Sequence, residues 1–327
     1  MTANPLGKTG ISVSPLCFGT LPFSPLQGYT GGAEAAGEVL RRAFELGINF
    51  IDTAQLYDNY SVCRAALAGG QYPVAVASKT YAYTEEDAIA AVEEARRGLD
   101  RDVIDLFLLH EQESEHTLRG HAPALDALFA LKAKGVLRAV GLSSHHVAGV
   151  WAAVRAGLDV VHPLLNMAGL GIADGSREEM EEAVAAATEA GVGVYIMKAL
   201  GGGHLFQSAQ EALTYAKGWG QSVALGMRDI DEVEAAVSFF EMGVLPPLKE
   251  RKPRSLHIAD WCSGCGRCAE ACKSGALAIR GGKARLRAGA EPNDCDSSPR
   301  TSPAAARRCT LCGYCGAACP DFCIKII

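Results

Sequence analysis

Residues 74–110 read VAVASKTYAYTEEDAIAAVEEARRGLDRDVIDLFLLH. An apolar run, Val74-Ala-Val-Ala77, ends on Ser78-Lys79, and a second, Ile104-Asp-Leu-Phe-Leu-Leu109, ends on His110. Between them Thr84-x-x-Asp87 reads as a capping box opening a helix whose Ile89, Val92 and Leu99 share one face. Strand, crossover helix and strand form a βαβ unit, and its two strands run parallel.

The same alternation extends from Ser14 to Met242. Strand candidates are Val13–Phe18, Ile48–Ile51, Val74–Ala77, Ile104–Leu109, Ala139–Leu142, Val160–Val161, Val192–Ile196 and Ser222–Leu225. Ser176-x-x-Glu179 gives a second capping box, and Gly47 and Gly191 stand at helix C-caps. Eight such units in about 230 residues predict an α/β fold, a (β/α)8 TIM barrel. A doubly wound open sheet would normally carry a glycine-rich fingerprint after its first strand.

A chain of 327 residues, 49% hydrophobic and 21% charged, has room for one large domain and a small one, and excludes disorder as the main state. The apolar stretch Val192–Leu200 is broken by Lys198 and then by Gly201-Gly202-Gly203, so no membrane span is expected. The N-terminal residues lack a basic segment followed by an apolar core, which predicts a cytoplasmic protein. The formal charge of −6 is uneven. Residues 1–242 hold 17 Lys/Arg against 30 Asp/Glu, net −13, and residues 243–327 hold 14 against 7, net +7. The basic part has no basic helix or aromatic platform, so nucleic acid is not an expected partner.

The cysteines explain that part better. Ten of the 12 follow residue 260, and eight form two copies of one pattern: Cys262-x2-Cys265-x2-Cys268-x3-Cys272 and Cys309-x2-Cys312-x2-Cys315-x3-Cys319-Pro320. Three cysteines at intervals of three wrap three corners of a cubane, and the fourth, opening a helix, reaches the other cluster. One 4Fe–4S cluster then takes Cys262, Cys265, Cys268 and Cys319, and the second Cys309, Cys312, Cys315 and Cys272. Zinc would use CxxC pairs set well apart, and disulfides belong to oxidising compartments. A single cluster stays open as an alternative, because Lys273 stands where ferredoxins usually have proline. The repeat resembles bacterial two-cluster ferredoxins, an α+β fold. Cys17, Cys63, Cys295 and Cys323 read as ordinary thiols. Ala276–Leu286 reads as strand, Gly-Gly turn, strand, and Ala288–Arg308 as a mobile insertion. The expected organisation is a barrel over 1–242, a proline- and charge-rich linker over 243–260 and a ferredoxin-like domain over 261–327.

Barrel chemistry sits where strands end. Asp52 follows Ile51, with Tyr57 in the same loop, Lys79 follows the third strand and His110 ends the fourth. These four can form a proton-transfer site. Lys79 would favour tyrosinate at Tyr57, Asp52 would hold that lysine, and His110 would orient a substrate oxygen.

These residues resemble the aldo-keto reductases, through Leu6–Ser14, Phe18-Gly-Thr20, Asp52-Thr-Ala-x-x-Tyr57, Ser78-Lys79, Leu108-Leu-His110 and Lys134–Ser143. With the C-terminal module and Met197-Lys-Ala-Leu-Gly-Gly-Gly203, the chain is similar to the iron–sulfur-containing branch of that superfamily. The resemblance implies hydride transfer between NADP(H) and a small-molecule carbonyl or alcohol, with Tyr57 as proton donor, Lys79 and Asp52 tuning it, and His110 positioning substrate. On the nucleotide side it points to Ser143, Asn166, Met197, Lys198, Gly226 and Arg228. The sequence departs from the family at Ser144 (usually asparagine), His162 (glutamine), Met197 (tyrosine), Ala236 (asparagine) and Asp58 (glycine).

A 4Fe–4S cluster passes one electron and a nicotinamide a hydride, and no flavin motif links them. Three functions are therefore expected to compete. The first is an NADP(H)-dependent oxidoreductase whose two clusters exchange electrons with a redox partner protein or serve structure and sensing. The others are an electron-transfer subunit whose barrel no longer uses nicotinamide, and a redox-neutral Tyr/Lys acid–base enzyme.

Overall fold

The computed structural model describes residues 1–247, 255–272, 274–290, 309 and 314–326, which fall into two compact units. The first comprises Met1–Ala199 and Gln210–Leu248, and the second Leu200–Ala209 and Lys249–Ile327.

The first unit opens with a hairpin, β1 (Asn4–Pro5) and β2 (Ser12–Val13). Eight parallel strands follow: β3 (Leu16–Gly19), β4 (Phe50–Asp52), β5 (Ala75–Thr80), β6 (Ile104–Leu109), β7 (Leu137–Ser144), β8 (Val160–Pro163), β9 (Gly193–Ile196) and β10 (Ser222–Gly226). They close in sequence order, β10 pairing with β3, into the predicted barrel. The helices are α1 (Ala33–Glu45), α2 (Tyr60–Leu67), α3 (Glu85–Leu99), α4 (Glu115–Gly120), α5 (Ala122–Ala133), α6 (Val147–Arg155), α7 (Arg177–Glu189), α8 (Ala209–Lys217) and α9 (Ile230–Met242).

Cys17, Phe50, Ala77, Leu106, Leu108, Ala139, Val160 and Tyr195 fill the interior together with Leu6 and Ile11 from the hairpin. The hairpin's Lys8 N–H donates to Gly191 O, just before β9, which places it at the N-terminal ends of the strands. Apolar packing thus seals one end, and the strands' C-terminal ends keep the polar residues.

Local signals account for the helix ends. Ser176 and Glu179 form the full capping box, whereas at Thr84 only one half exists, its hydroxyl accepting from Asp87 N–H. Gly47 (φ 90°) and Gly191 (φ 79°) take the left-handed conformation that ends α1 and α7. One expectation fails. Ile89 is exposed, and α3 buries Ala88, Ala91, Val92, Ala95 and Leu99 instead, because alanines at i, i+3 and i+4 spacing let the helix lie close on the sheet.

The second unit contains β11 (Leu256–Ile258), α10 (Arg267–Ala271), β12 (Leu277–Arg280), β13 (Lys283–Leu286), α11 (Tyr314–Ala317) and β14 (Ile324–Ile326). β11 pairs antiparallel with β14, and β12 with β13 across the expected Gly281-Gly282 turn. β11 lies within the stretch expected as linker, so this sheet begins before residue 261. Among the described residues Cys268, Leu277, Ala284, Cys315 and Ile324 form the core. The segment Leu200–Ala209 packs here. A Cβ on Gly202 would fall 2.7 Å from the Phe322 ring, and one on Gly316 would overlap the His204 imidazole. Residues 291–308, most of the expected insertion, as well as Lys273 and Cys312, lie outside the described residues. No described helix is long and apolar enough to cross a membrane.

Candidate active site

Asp52 and Lys79 lie within β4 and β5 rather than after them, because each strand runs further than its apolar run. Both point into the barrel and are buried. Lys79 Nζ donates to Asp52 Oδ2 at 2.7 Å and to Thr53 O at 2.7 Å. The other carboxylate oxygen accepts from Tyr195 Oη at 2.9 Å. Tyr195 stacks on His162 at 3.8 Å between centroids, and His162 Nε2 lies 3.9 Å from Asp52 Oδ1. The carboxylate is therefore held from both sides.

Above this base Lys79 Nζ lies 4.9 Å from the Tyr57 ring centroid, and the Tyr57 and His110 rings meet edge to face at 6.0 Å. The four residues expected to work together are thus brought together. Tyr57 is half-buried, and Asp58 behind it adopts φ 49°, a left-handed backbone that explains why glycine is common there. Burial, with the charges of Asp52 and Glu111 adding to it, pushes the Tyr57 phenol well above its usual value. The expectation that Lys79 draws it down is corrected, since the lysine is spent on the Asp52 ion pair.

Three rim residues escaped the sequence reading. Tyr81 stacks on His110 at 4.5 Å and donates to Glu111 Oε2 at 2.5 Å, and His145 Nε2 lies 3.8 Å from Glu111 Oε1. The first two flank predicted residues, Lys79 and His110, which was the available signal. Tyr195, in the middle of an apolar strand, was legible only as a buried phenol that needs a partner.

His110 Nδ1 is buried with no hydrogen-bond partner among the described residues, and burial together with Lys79 holds its imidazole well below the usual value. Burial likewise pushes His145 and His162 down to about 4. The unfolded chain binds protons at these rings near pH 6.5 and the native chain does not, so stability is full above that pH and lost as pH falls towards 4. Each such ring implies a loss of up to about 1.4 kcal/mol per pH unit between roughly pH 6 and 4.5. Urea midpoints at pH 7, 6 and 5 check this, and a midpoint unchanged over that range contradicts it.

The nucleotide candidates spread along the same rim. Ser143 lies in β7, where its Oγ accepts from Glu111 N–H at 2.9 Å and keeps its own proton to donate. Asn166 Oδ1 accepts from Ala168 and Leu170 N–H, and its Nδ2 donates to Leu170 O at 2.9 Å, using one of two protons. Gly226 of β10 is exposed and lies beside Gly19 of β3, with the Pro22 ring packed against it, so that a Cβ there would fall 2.7 Å from Pro22 Cγ. Exposed Arg228 reaches Gln27 O at 3.4 Å. Half-buried Met197 and Lys198 follow β9, Lys198 at φ 61°. Of the departures, Ser144 Oγ is already engaged, donating to Gln112 O beyond β6 and accepting from His146 N–H, and buried Ala236 presents no polar group.

In the second unit burial raises the Cys268 thiol above its usual value, with the charges of Cys262, Cys319 and Cys265 adding to it. Backbone N–H groups of Ala284, Ala276 and Cys323 point at the sulfurs of Cys262 (3.4 Å), Cys272 (3.2 Å) and Cys319 (3.3 Å). Burial opposes a thiolate at Cys272, but hydrogen bonds from Ser274 and nearby backbone N–H groups outweigh it and hold the thiol below its usual value. The third cysteine of each motif sits in a helix, α10 or α11, and the fourth follows that helix rather than opening one. Cys309 is half-buried, its N–H bonded to Ala290 O, and Cys312 is outside the described residues. Cys323, expected to be an ordinary thiol, is buried against Cys319.

Such a parallel barrel, with Asp, Tyr, Lys and His at one rim, defines a class, and comparison with known proteins supplies its name. The sequence profile of the Aldo/keto reductase family matches residues 15–223, and the chain belongs to that family. A 4Fe–4S dicluster domain matches residues 261–322. Among curated relatives, L-galactose dehydrogenase of Arabidopsis thaliana is 30% identical over 42% of this chain and 47% of its own. Methylglyoxal reductase YeaE of Escherichia coli is 35% identical over 32% and 37%. The chain thus spans less than half the length of these relatives. The solved structure of PA4992 from Pseudomonas aeruginosa, assigned to the aldo-keto reductases, is 25% identical with a TM-score of 0.63, covering 74% of this chain and 95% of that one. The holo form of aldo-keto reductase AKR11C1 from Bacillus halodurans shares the fold with a TM-score of 0.62 at 22% identity, covering 77% and 94%. The chain thus joins a barrel of the aldo-keto reductase family to a 4Fe–4S dicluster domain.

Proposed function

We propose that this oxidoreductase reduces a small carbonyl compound, or oxidises the corresponding alcohol, with NADP(H), and that its C-terminal domain carries two 4Fe–4S clusters. The carrying observation is the juxtaposition of Tyr57 and His110 over the buried Asp52–Lys79 pair.

The residues fit a dinucleotide. Ser143 keeps a donor proton and Asn166 one amide proton for a carboxamide, while the exposed Arg228 guanidinium suits phosphate. Met197 and Lys198 would flank the nicotinamide. When bound, NADPH supplies the hydride that adds to the carbonyl carbon. His110, kept neutral, donates an N–H to the carbonyl oxygen and fixes its orientation. Tyr57 then gives its proton to the alkoxide that develops. A raised phenol keeps that proton through the neutral range, and transfer runs downhill because an alkoxide is a stronger base than a phenolate. The same shift disfavours the redox-neutral reading, which needs a tyrosinate at the start. Asp52, held by Lys79 and Tyr195, keeps Lys79 from swinging and so fixes Tyr57 above it.

L-galactose and methylglyoxal, in the names of two relatives, are small and oxygen-rich, and the polar rim of Tyr81, Glu111 and His145 suits such compounds. The engaged Asn166 amide and the acidic first turn of α9 beside Arg228 favour one rival, an electron-transfer subunit with no use for nicotinamide.

For the clusters, the domain match and the repeated cysteine spacing support the ligand exchange between motifs. Wild-type protein should hold about eight iron atoms per chain, and Cys319→Ala about four, the set with Cys309 persisting. Iron assay and electron paramagnetic resonance check this. Full iron content in the variant contradicts the assignment.

A further inference from the structure

We infer that the outer face of the β12–β13 hairpin is a docking surface for an acidic one-electron carrier protein, which exchanges electrons with the cluster of Cys262, Cys265, Cys268 and Cys319. This rests on the iron–sulfur part of the proposed function and is independent of nicotinamide.

Strand alternation sorts the hairpin into two faces. Leu277, Ile279, Ala284 and Leu286 share one, and Leu277 and Ala284 are buried in the core with Cys268 and Cys315. Ala278, Arg280, Lys283 and Arg285 share the other, and Arg287 follows. No acidic residue occurs between positions 271 and 290. The cations therefore face away from the cysteines, and balancing cluster charge does not account for them. Arg280 stands directly across from Lys283, and such like-charge pairing costs stability. Lys283 reaches Asp260, its Nζ donating to the backbone O at 2.5 Å. Arg280 and Arg285 are exposed and have no anionic partner among the described residues.

The hairpin also borders the cluster loop. A Cβ on Gly264 would fall 2.2 Å from Gly282 O, so loop and turn touch through bare backbone. Ala284 N–H points at Cys262 Sγ, and Cys265 is exposed. A centre held there lies close to solvent at the edge of the cationic face, which suits electron exchange across a small transient interface. The charge distribution selects the occupant, since residues 1–242 carry net −13 and repel an acidic partner while residues 243–327 carry +7. Four cations on a short hairpin fall short of a nucleic-acid stripe. The step balances without bond changes: the carrier's reduced centre loses one electron and the oxidised cluster gains it.

The test uses the full chain with clusters assembled, and an acidic 2Fe–2S ferredoxin as probe, both reduced and in a redox-inert gallium-substituted form. Stopped-flow reduction by the ferredoxin should slow steeply as salt rises. Combined Arg280→Glu and Arg285→Glu should lower the low-salt rate and the affinity for the gallium form about tenfold or more and flatten the salt dependence. Reduction by dithionite should be unchanged, with Arg119→Glu in the barrel as control. Wild-type rates and salt dependence in the double variant would overturn the inference. So would tighter binding of short duplex DNA that the same variant abolishes. Absence of iron and of cluster absorbance in anaerobically purified wild-type protein would instead remove the iron–sulfur reading, and the docking role with it.

Discussion

Tyr57→Phe is expected to lower kcat for carbonyl reduction about a hundred- to ten-thousand-fold, with NADPH affinity and Tm close to wild type. The magnitude is what one positioned proton donor contributes. The ring stays, so its edge-to-face contact with His110 and its place beside Lys79 persist. The hydroxyl makes no hydrogen bond that the fold depends on among the described residues, which separates chemistry from stability in this variant. Carbonyl turnover within about threefold of wild type would remove Tyr57 from the chemistry.

The second large effect concerns stability. Lys79→Met strands the Asp52 carboxylate inside the barrel, with side-chain exposures of 1% for Lys79 and 5% for Asp52. Breaking a buried pair by removing one partner costs about 3–5 kcal/mol. Tyr195 still donates to Asp52, which limits the loss, and His162 can take up a proton beside it. Combining Lys79→Met with Asp52→Asn should therefore cost less than the two single losses together. Equilibrium urea unfolding decides the matter. A loss below about 1 kcal/mol for Lys79→Met would mean the pair is not the buried anchor described here.

The barrel was legible because its signals are local and repeated. Apolar runs such as Ile104–Leu109 and capped helices such as the one opened by Ser176 each state one unit, and eight of them leave few topologies open. Strand ends were less legible. Lys79 and Asp52 read as loop residues because a buried ion pair looks polar in sequence although it sits in a strand. That Asp52, Tyr57, Lys79 and His110 come together was legible from their positions at strand ends, but the sense of the Tyr57 shift was not. That sign depends on how deeply the ring is buried and on where Lys79 points, neither of which periodicity encodes. Tyr195 and Glu111 were missed for the same reason, since their roles come from partners 143 and 30 residues away. In the second unit the cysteine spacing stated the chemistry. The close approach of Cys323 to Cys319 was hidden, because it arises from the turn at Phe322, with φ 49°.

The division of labour between hydride and single-electron chemistry is the central claim, and an anaerobic NADPH titration of cluster-loaded protein tests it most directly. Nicotinamide fluorescence and cluster absorbance are followed in one cuvette. The account predicts a saturable change in nicotinamide fluorescence at one equivalent while the clusters stay oxidised, because the sequence carries no flavin motif to convert a hydride into single electrons. No fluorescence change in protein with full iron content would contradict it and leave the barrel without nicotinamide.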